Sequence, residues 1–413
     1  HTWPYFLPDG RHFFYLARNT QTENSAIYVG ALDSKETKRL LQVHSSVAYA
    51  PPGYLLFGRG TTLMAQGFDL DRLELKGEEF PLAEQTVRNP VNGRIMFSVS
   101  DNGVLAARTG ALALNQLLWF DRAGKQVSAL TPPGTYNAPA LSPDQQKVAV
   151  SRYDYQSISA FDVWLIDVER GAQIRFTTDP AGDGDPAWSP NADRIAFVST
   201  RNGLANLYQK SSSGTGTEES LVASKEGKYH PDWSPDGRFI LYGQVNATTN
   251  LDLFLLPLSD ERKPEPFLQT NFVEGQGRFS PNGRWVAYIS NETGQFEVYV
   301  QSFPAKGDKI PISTNGGAQP MWRADGRELY YYTPDRKLMA VAVNGDGSVF
   351  KVGSAQPLFE IRVSGAGVDR GFPGSGYYTA ARDGKRFLVV GTPASPEHQQ
   401  IVIVLNWTAD LKR

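Results

Sequence analysis

Short apolar runs alternate with turn residues along the whole chain. No apolar spacing of 3.6 residues persists beyond about two turns, so the pattern predicts strands rather than helices. One unit can be read in full from Pro231 to Thr270. Asp232-Trp233-Ser234 is a short first strand, and Pro235-Asp236-Gly237 reverses the chain, since proline presets φ and glycine accepts a positive one. Arg238 to Tyr242 is aromatic and aliphatic, as a strand covered on both faces would be. Leu251 to Leu256 gives a third strand and Pro266 to Thr270 a shorter fourth.

The same order recurs with KVAVSRY, DVWLIDV and IRFTT after Asp144, with RIAFVST, NLYQKSS and ESLVAS after Asn191, and with RWVAYIS, EVYVQSF and IPIST after Asn282. Each opens on a related phrase: PYFLPDG from Pro4, PALSPDQ from Pro139, PAWSPNA from Pro186, PDWSPDG from Pro231, GRFSPNG from Gly277 and PMWRADG from Pro320. Neighbouring copies lie about 42 to 50 residues apart, the length of one four-stranded propeller blade. Weaker copies precede YLLFGRG, VLAAR with LLWFDRAG, and RFLVVG with IVIVLNW. The predicted fold is all-β, a β-propeller of four-stranded antiparallel blades with eight to nine repeats, the last incomplete. A single propeller over 1–413 would place units near 1–43, 44–88, 89–134, 135–181, 182–226, 227–272, 273–315, 316–363 and 364–413. The outer edge of the last unit needs a strand from elsewhere or stays short, and propellers commonly seal their ring by pairing strands from both chain ends. Trp188, Trp233, Phe279 and Trp322 recur at one position of the unit and are expected to pack between blades.

A net charge of −2 with both signs interspersed gives no basic face, which argues against a nucleic-acid partner. Cysteine is absent, so disulfides, thiolate metal sites and thiol nucleophiles are excluded. Apolar runs such as Ile401 to Leu405 fall far short of the roughly 20 residues that cross a bilayer, so no membrane insertion by this chain is expected. His1 already stands inside a repeat, with no charged or apolar leader before it, which reads as a fragment or trimmed chain.

Chemistry is sparse. The five histidines, His1, His12, His44, His230 and His398, form no metal pair, and no HExxH occurs. The acidic loop Asp179 to Asp185 reads as a solvated turn, with a cation site as the alternative. There is no GxSxG elbow, and Gly374-Ser375-Gly376 reads as a loop. Gly365-Ala366-Gly367 does not continue into a dinucleotide turn, no phosphate loop is present, and neither HRD nor DFG occurs. No catalytic residue, metal site or cofactor is therefore expected. Binding remains, and loops entering the innermost strands of a propeller are natural binding positions. They supply Tyr136, Asp183, Asp185, Tyr229, His230, Glu274, Gln276 and Gln319, a polar and aromatic set suited to a protein, peptide or carbohydrate ligand.

PDWSPDGRFILY, PAWSPNADRIAFVSTRNG and RFSPNGRWVAYIS resemble the WD-repeat-like units of TolB-type propellers over nearly the whole chain. WPYFLPDGRHFFYLAR, LLWFDRAGK, EVYVQSFP and the ending IVIVLNWTADLKR also resemble the C-terminal propeller region of bacterial serine/threonine protein kinases of the acidobacterial kind. That resemblance implies a non-catalytic sensor region on the periplasmic or extracellular side of a membrane-anchored kinase, whose kinase domain is not in this chain. Two alternatives are a propeller gating a prolyl-oligopeptidase-type hydrolase, which requires a GxSxG domain downstream, and a free periplasmic TolB-like scaffold, which requires a signal peptide. Absence of cysteine leaves a cytoplasmic location open as well.

Overall fold

The computed structural model describes residues 1–19, 24–88, 93–110, 114–153, 161–259, 261–304, 307–347, 349–362, 376–392, 400–405 and 407. Gly365, Gly367, Gly374, Ser375 and His398 lie outside the described residues. Among those described the secondary structure is all β, in nine antiparallel sheets, eight of four strands and one of three. No described helix is long and apolar enough to cross a membrane.

The chain divides into two compact units, one holding the described residues 1–110, 400–405 and 407, the other those of 114–392. The first contains three sheets. Thr2–Phe6, His12–Ala17, Ala26–Ala31 and Thr37–Leu41 form one, and Val47–Ala50, Tyr54–Arg59, Thr62–Asp69 and Glu74–Ala83 the next. Phe97–Val99 and Leu105–Thr109 are joined by Gln400–Val404 in the third. Phe14, Ile27, Tyr49 and Phe57 fill the first interface, while Leu56, Ala65, Leu105 and Trp407 fill the second.

The second unit contains six sheets in a closed ring. Blade 1 runs from Tyr136 to Arg175, blade 2 from Asp183 to Val222, blade 3 from Lys228 to Leu268, blade 4 from Glu274 to Pro311 and blade 5 from Ala318 to Glu360, each a meander of four consecutive strands. Blade 6 is composite. Tyr378–Ala380 is its inner strand and Arg386–Gly391 its second, but its two outer strands are Gln116–Asp121 and Gln126–Ala129. Apolar side chains fill all six interfaces, including Tyr330 and Tyr332 against Tyr378 and Phe387 between blades 5 and 6, and Trp119 and Leu388 against Tyr136 and Val148 between blades 6 and 1. Arg122 reinforces the closure: it donates to Glu328 of blade 5 at 3.0 and 2.5 Å and to Gly384 O of blade 6 at 3.0 Å.

Pairing therefore corrects the consecutive units 89–134 and 364–413. IVIV pairs with Leu105–Thr109 rather than with RFLVVG, and LLWFD takes its place beside RFLVVG. Burial fits the exchange. Leu117, Leu118 and Trp119 are buried on both faces of their strand, as a strand between two blades requires, whereas Ile401 and Ile403 stand exposed on a sheet edge. The missing outer strands of the last unit do come from elsewhere in the chain.

Candidate functional site

The innermost strands of blades 1 to 5 share one irregularity. Each has a register shift after its first or second residue, at Asn137/Ala140, Gly184/Ala187, Tyr229/Asp232, Gly275/Arg278 and Ala318/Met321. At each shift a non-glycine residue takes a positive φ: Ala138 at 51°, Asp185 at 50°, His230 at 53°, Gln276 at 52° and Gln319 at 56°. Trp3, in the first sheet of the other unit, does the same at 57°. A left-handed residue with a Cβ costs about 1 to 2 kcal/mol, so each is held in place by its surroundings. A bulge re-aims the side chain it carries. Here all five line one cavity of about 320 Å³ at the centre of the ring, which continues along the inner strands to Pro143 and Pro281 of the first turns.

Neighbouring blades are tied together through this wall. Gln319 N donates to Gln276 Oε1 at 2.8 Å, Tyr377 N to Gln319 Oε1 at 2.8 Å and Ala138 N to Gly376 O at 3.0 Å. Further along, Trp188 Nε1 donates to Ala140 O and Trp322 Nε1 to Arg278 O. The repeated aromatic thus packs between blades, as its recurrence predicted, and in Trp188, Phe279 and Trp322 it also faces the cavity. Two polar pairs lie in the wall: His230 Nδ1 sits 3.2 Å from Asp185 Oδ2, and Arg278 Nη1 sits 3.2 Å from Asp232 Oδ1. Burial raises the Asp232 carboxyl, opposed by Arg278 and by the N–H of Phe279. One donor is left over, since Gln319 Nε2 is buried without a hydrogen-bond partner.

Of the residues expected at the rim, Asp185, His230, Gln276 and Gln319 line this cavity and four do not. Tyr136 is 2% exposed and belongs to the core between blades 6 and 1. Asp183 and Glu274 are buried, and Tyr229, 36% exposed, points elsewhere. The physical reason is the bulge. Tyr136 and Ala138, Asp183 and Asp185, and Glu274 and Gln276 are two residues apart, which in a regular strand is one face, but the inserted residue sends the two side chains in different directions. Sequence reasoning missed Ala138, Asp232, Arg278, Met321 and Tyr378. The usable signal was the X-Pro pair at Ala138, Asp185, His230 and Gln319.

The acidic segment is not a solvated turn: Asp183 to Asp185 open the first strand of blade 2, Asp183 is buried, and the acids gather on a cation. Arg201 reaches Asp179 at 3.8 Å, Asp183 at 3.3 Å and Glu218 at 2.5 Å. Burial, the largest influence, pushes the Asp183 carboxyl up to about 6, against the pull of Ser199 and Arg201.

Comparison with known proteins agrees with this architecture. The PD40 family, described as the TolB beta propeller domain, matches residues 120–254, about a third of the chain. The Tol-Pal system protein TolB of Francisella tularensis is 26% identical over 249 residues, covering 58% of this chain and 53% of that protein. An uncharacterized peptidase, YuxL, of Bacillus subtilis is 36% identical over 81 residues, 19% of this chain and 12% of that protein. The chain thus spans about half or less of these two relatives. Among solved structures, a putative TolB from Agrobacterium tumefaciens superposes with a TM-score of 0.54 at 18% identity, over 69% of this chain and all of that one. With its strand order, closed interfaces and inner-strand phrase, the chain contains a TolB-like β-propeller.

Proposed function

We propose that the ring of blades 1 to 6 is a non-catalytic binding scaffold that takes a segment of a partner protein, a peptide loop or chain end, into its central cavity. The strained bulge residues carry this reading. Five consecutive blades hold a side chain at positive φ toward one space, and strain of this kind persists where the surroundings over-determine it. The cavity offers what a peptide needs: aromatic and proline walls, an ion pair beside a His–carboxylate contact, and in Gln319 Nε2 an unused donor for a backbone carbonyl. Selection of a random peptide library on the purified chain tests it. Enriched peptides that lose at least tenfold in affinity on Gln319→Leu or Asp185→Asn support the proposal. Enrichment indifferent to both changes, or a glycan array giving the only ligands, refutes it. Robust esterase, lactonase or peptidase turnover abolished by one substitution would overturn the non-catalytic assignment.

The wider role we infer is that of an extracytoplasmic sensor region belonging to a membrane-anchored serine/threonine kinase. Its support is the sequence resemblance that runs from WPYFLPDG to LNWTADLKR. The coding sequence upstream of His1 should then contain HRD and DFG followed by about 20 apolar residues. A signal peptide alone would favour a free periplasmic scaffold. The similarity to YuxL keeps a hydrolase-gating propeller in play, and a downstream GxSxG domain would establish that reading instead.

A further inference from the structure

The interface between blades 3 and 4 carries an acidic pair where the preceding interface carries a built-in cation. Lys228, the first residue of blade 3, is fully buried, and its ammonium donates to Asn206 Oδ1 at 3.2 Å, Ser224 Oγ at 2.5 Å and Glu226 O at 2.8 Å. Three oxygens thus surround one positive charge. Register makes the next blade directly comparable. Glu274 stands five residues before Phe279 as Lys228 stands five before Trp233, Asp252 precedes Leu253 as Asn206 precedes Leu207, and Thr270 lies four residues before Glu274 as Ser224 lies four before Lys228. The oxygen cage is kept and the ammonium at its centre is replaced by a second carboxylate.

Both carboxylates are buried and each uses one oxygen only. Thr249 Oγ1 donates to Asp252 Oδ2 at 2.7 Å, as does Gln269 Nε2 at 3.1 Å, and Thr270 Oγ1 donates to Glu274 Oε1 at 2.5 Å. Asp252 Oδ1 and Glu274 Oε2 have no partner. Independently of the acids, Ser290 Oγ and Tyr288 OH are also buried without partners. Ser290 is the cross-strand neighbour of Glu274, and Tyr288, two residues earlier on the same strand face, packs in the core between blades 3 and 4. Asp252 and Glu274 act on each other, and unsatisfied oxygens buried together call for a proton, a counter-charge or a ligand.

The other interfaces of this kind are neutralised from within. Asp162 meets Arg175 at 2.9 Å and Asp183 meets Arg201 at 3.3 Å. Glu297 engages Ser313 and the N–H of Gly316, and the residue in register with Glu274 one blade on is Gly317 instead of an acid. Among the described residues the cation that acts on Glu274 is Lys309, whose ammonium is engaged by Glu292.

We propose that Asp252, Glu274 and Ser290 form a metal-cation site between blades 3 and 4, occupied by a divalent ion of the calcium type that stands where the Lys228 ammonium stands one blade earlier. Two carboxylates balance a double charge, and all-oxygen donors of carboxylate and hydroxyl type select hard cations over zinc or copper. Among the described residues no three His, Cys, Asp or Glu side chains gather for a metal, so the set is completed by hydroxyl, backbone carbonyl and water. The carbonyl of Phe272 corresponds to that of Glu226, which binds Lys228. The loop 269–272 above the site is exposed and gives the ion a path from solvent.

Thermal unfolding of the full chain with EDTA, CaCl2, MgCl2 or NaCl, together with terbium luminescence sensitised through Tyr288, tests the site. Calcium at about a hundred times its dissociation constant should raise Tm by about 3 to 5 °C over EDTA. Asp252→Asn and Glu274→Gln should abolish both the shift and the terbium signal. Glu274→Lys, which restores the ammonium, should give a Tm independent of calcium. A wild-type Tm indifferent to calcium overturns the proposal, the pair then sharing a proton. A calcium shift that survives in all three variants places the ion elsewhere and overturns it equally. Should Asp252→Asn fail to fold, the wild-type titration and Glu274→Lys still decide.

Discussion

Asp183 offers a stability effect with a calculable size and sign. Its side chain is fully buried at the start of blade 2, one oxygen 3.3 Å from Arg201 and the other without a partner. Burial pushes its carboxyl up to about 6 from an ordinary 3.8. Below pH 3.8 the group is protonated in both folded and unfolded chains. As pH rises the unfolded chain ionises first, so stability falls until the folded carboxyl ionises near pH 6, and it is flat above that. At 1.36 kcal/mol per pH unit the loss is about 3 kcal/mol. Asp183→Asn keeps the shape and removes the titration, and Arg201 retains Glu218 and Asp179. The stability of the variant relative to the parent should therefore improve by about 3 kcal/mol between pH 4 and pH 6 and stay constant at higher pH. Denaturant unfolding of both proteins, followed by tryptophan fluorescence in steps from pH 3.5 to 8, measures the gap. A gap that stays constant across this range, or that closes as pH rises, refutes the assignment of a destabilising buried carboxylate.

Three further outcomes follow from particular contacts. Lys228→Met should cost about 1 to 2 kcal/mol, because it takes the ammonium donor from Glu226 O, while Asn206 Oδ1 keeps the N–H of Ser224 and Ser224 Oγ keeps Glu226; the same unfolding curves report it. Ala138→Val should lose about 2 kcal/mol, since a β-branched side chain tolerates φ of 51° poorly, while Ala138→Gly should lose nothing measurable in Tm. Arg122→Ala removes the clamp on Glu328 and Gly384 O; with its guanidinium 39% exposed the ion pair is partly screened, so about 1 to 2 kcal/mol is expected, read as a lower Tm.

The sequence showed each strand far better than it showed each strand's partner. PDWSPDG with its aromatic and turn residues, and RFILY after it, are local signals, and blades 1 to 5 appear where those signals stand. RFLVVG, LLWFD and IVIV carry equally good strand patterns, but nothing local says that the first pairs with LLWFD, more than 250 residues earlier, rather than with the nearby IVIV. Only the burial of both faces, a tertiary property, distinguishes them. The cavity was half legible for a related reason. A residue before proline is ordinarily extended, so His230-Pro231 and Asp185-Pro186 carry no local sign of a left-handed residue, and loops entering the innermost strands supply Asp183 and Glu274 as readily as Asp185 and Gln276. The bulge overrides the ordinary geometry of a strand and of a residue before proline. Asp232 and Arg278 escaped notice because they lie beyond the bulge, inside what reads as the repeated strand.

The closed six-bladed ring rests on one pairing, Gln116–Asp121 against Arg386–Gly391. The chain has no cysteine, so the double variant Asp121→Cys/Arg386→Cys places a unique thiol pair at one register position near the surface. Mild oxidation should give an intramolecular disulfide in high yield, mapped by mass spectrometry, with Tm unchanged or raised. Free thiols after oxidation of the folded protein, or a disulfide gained only by distorting it, would contradict the closure.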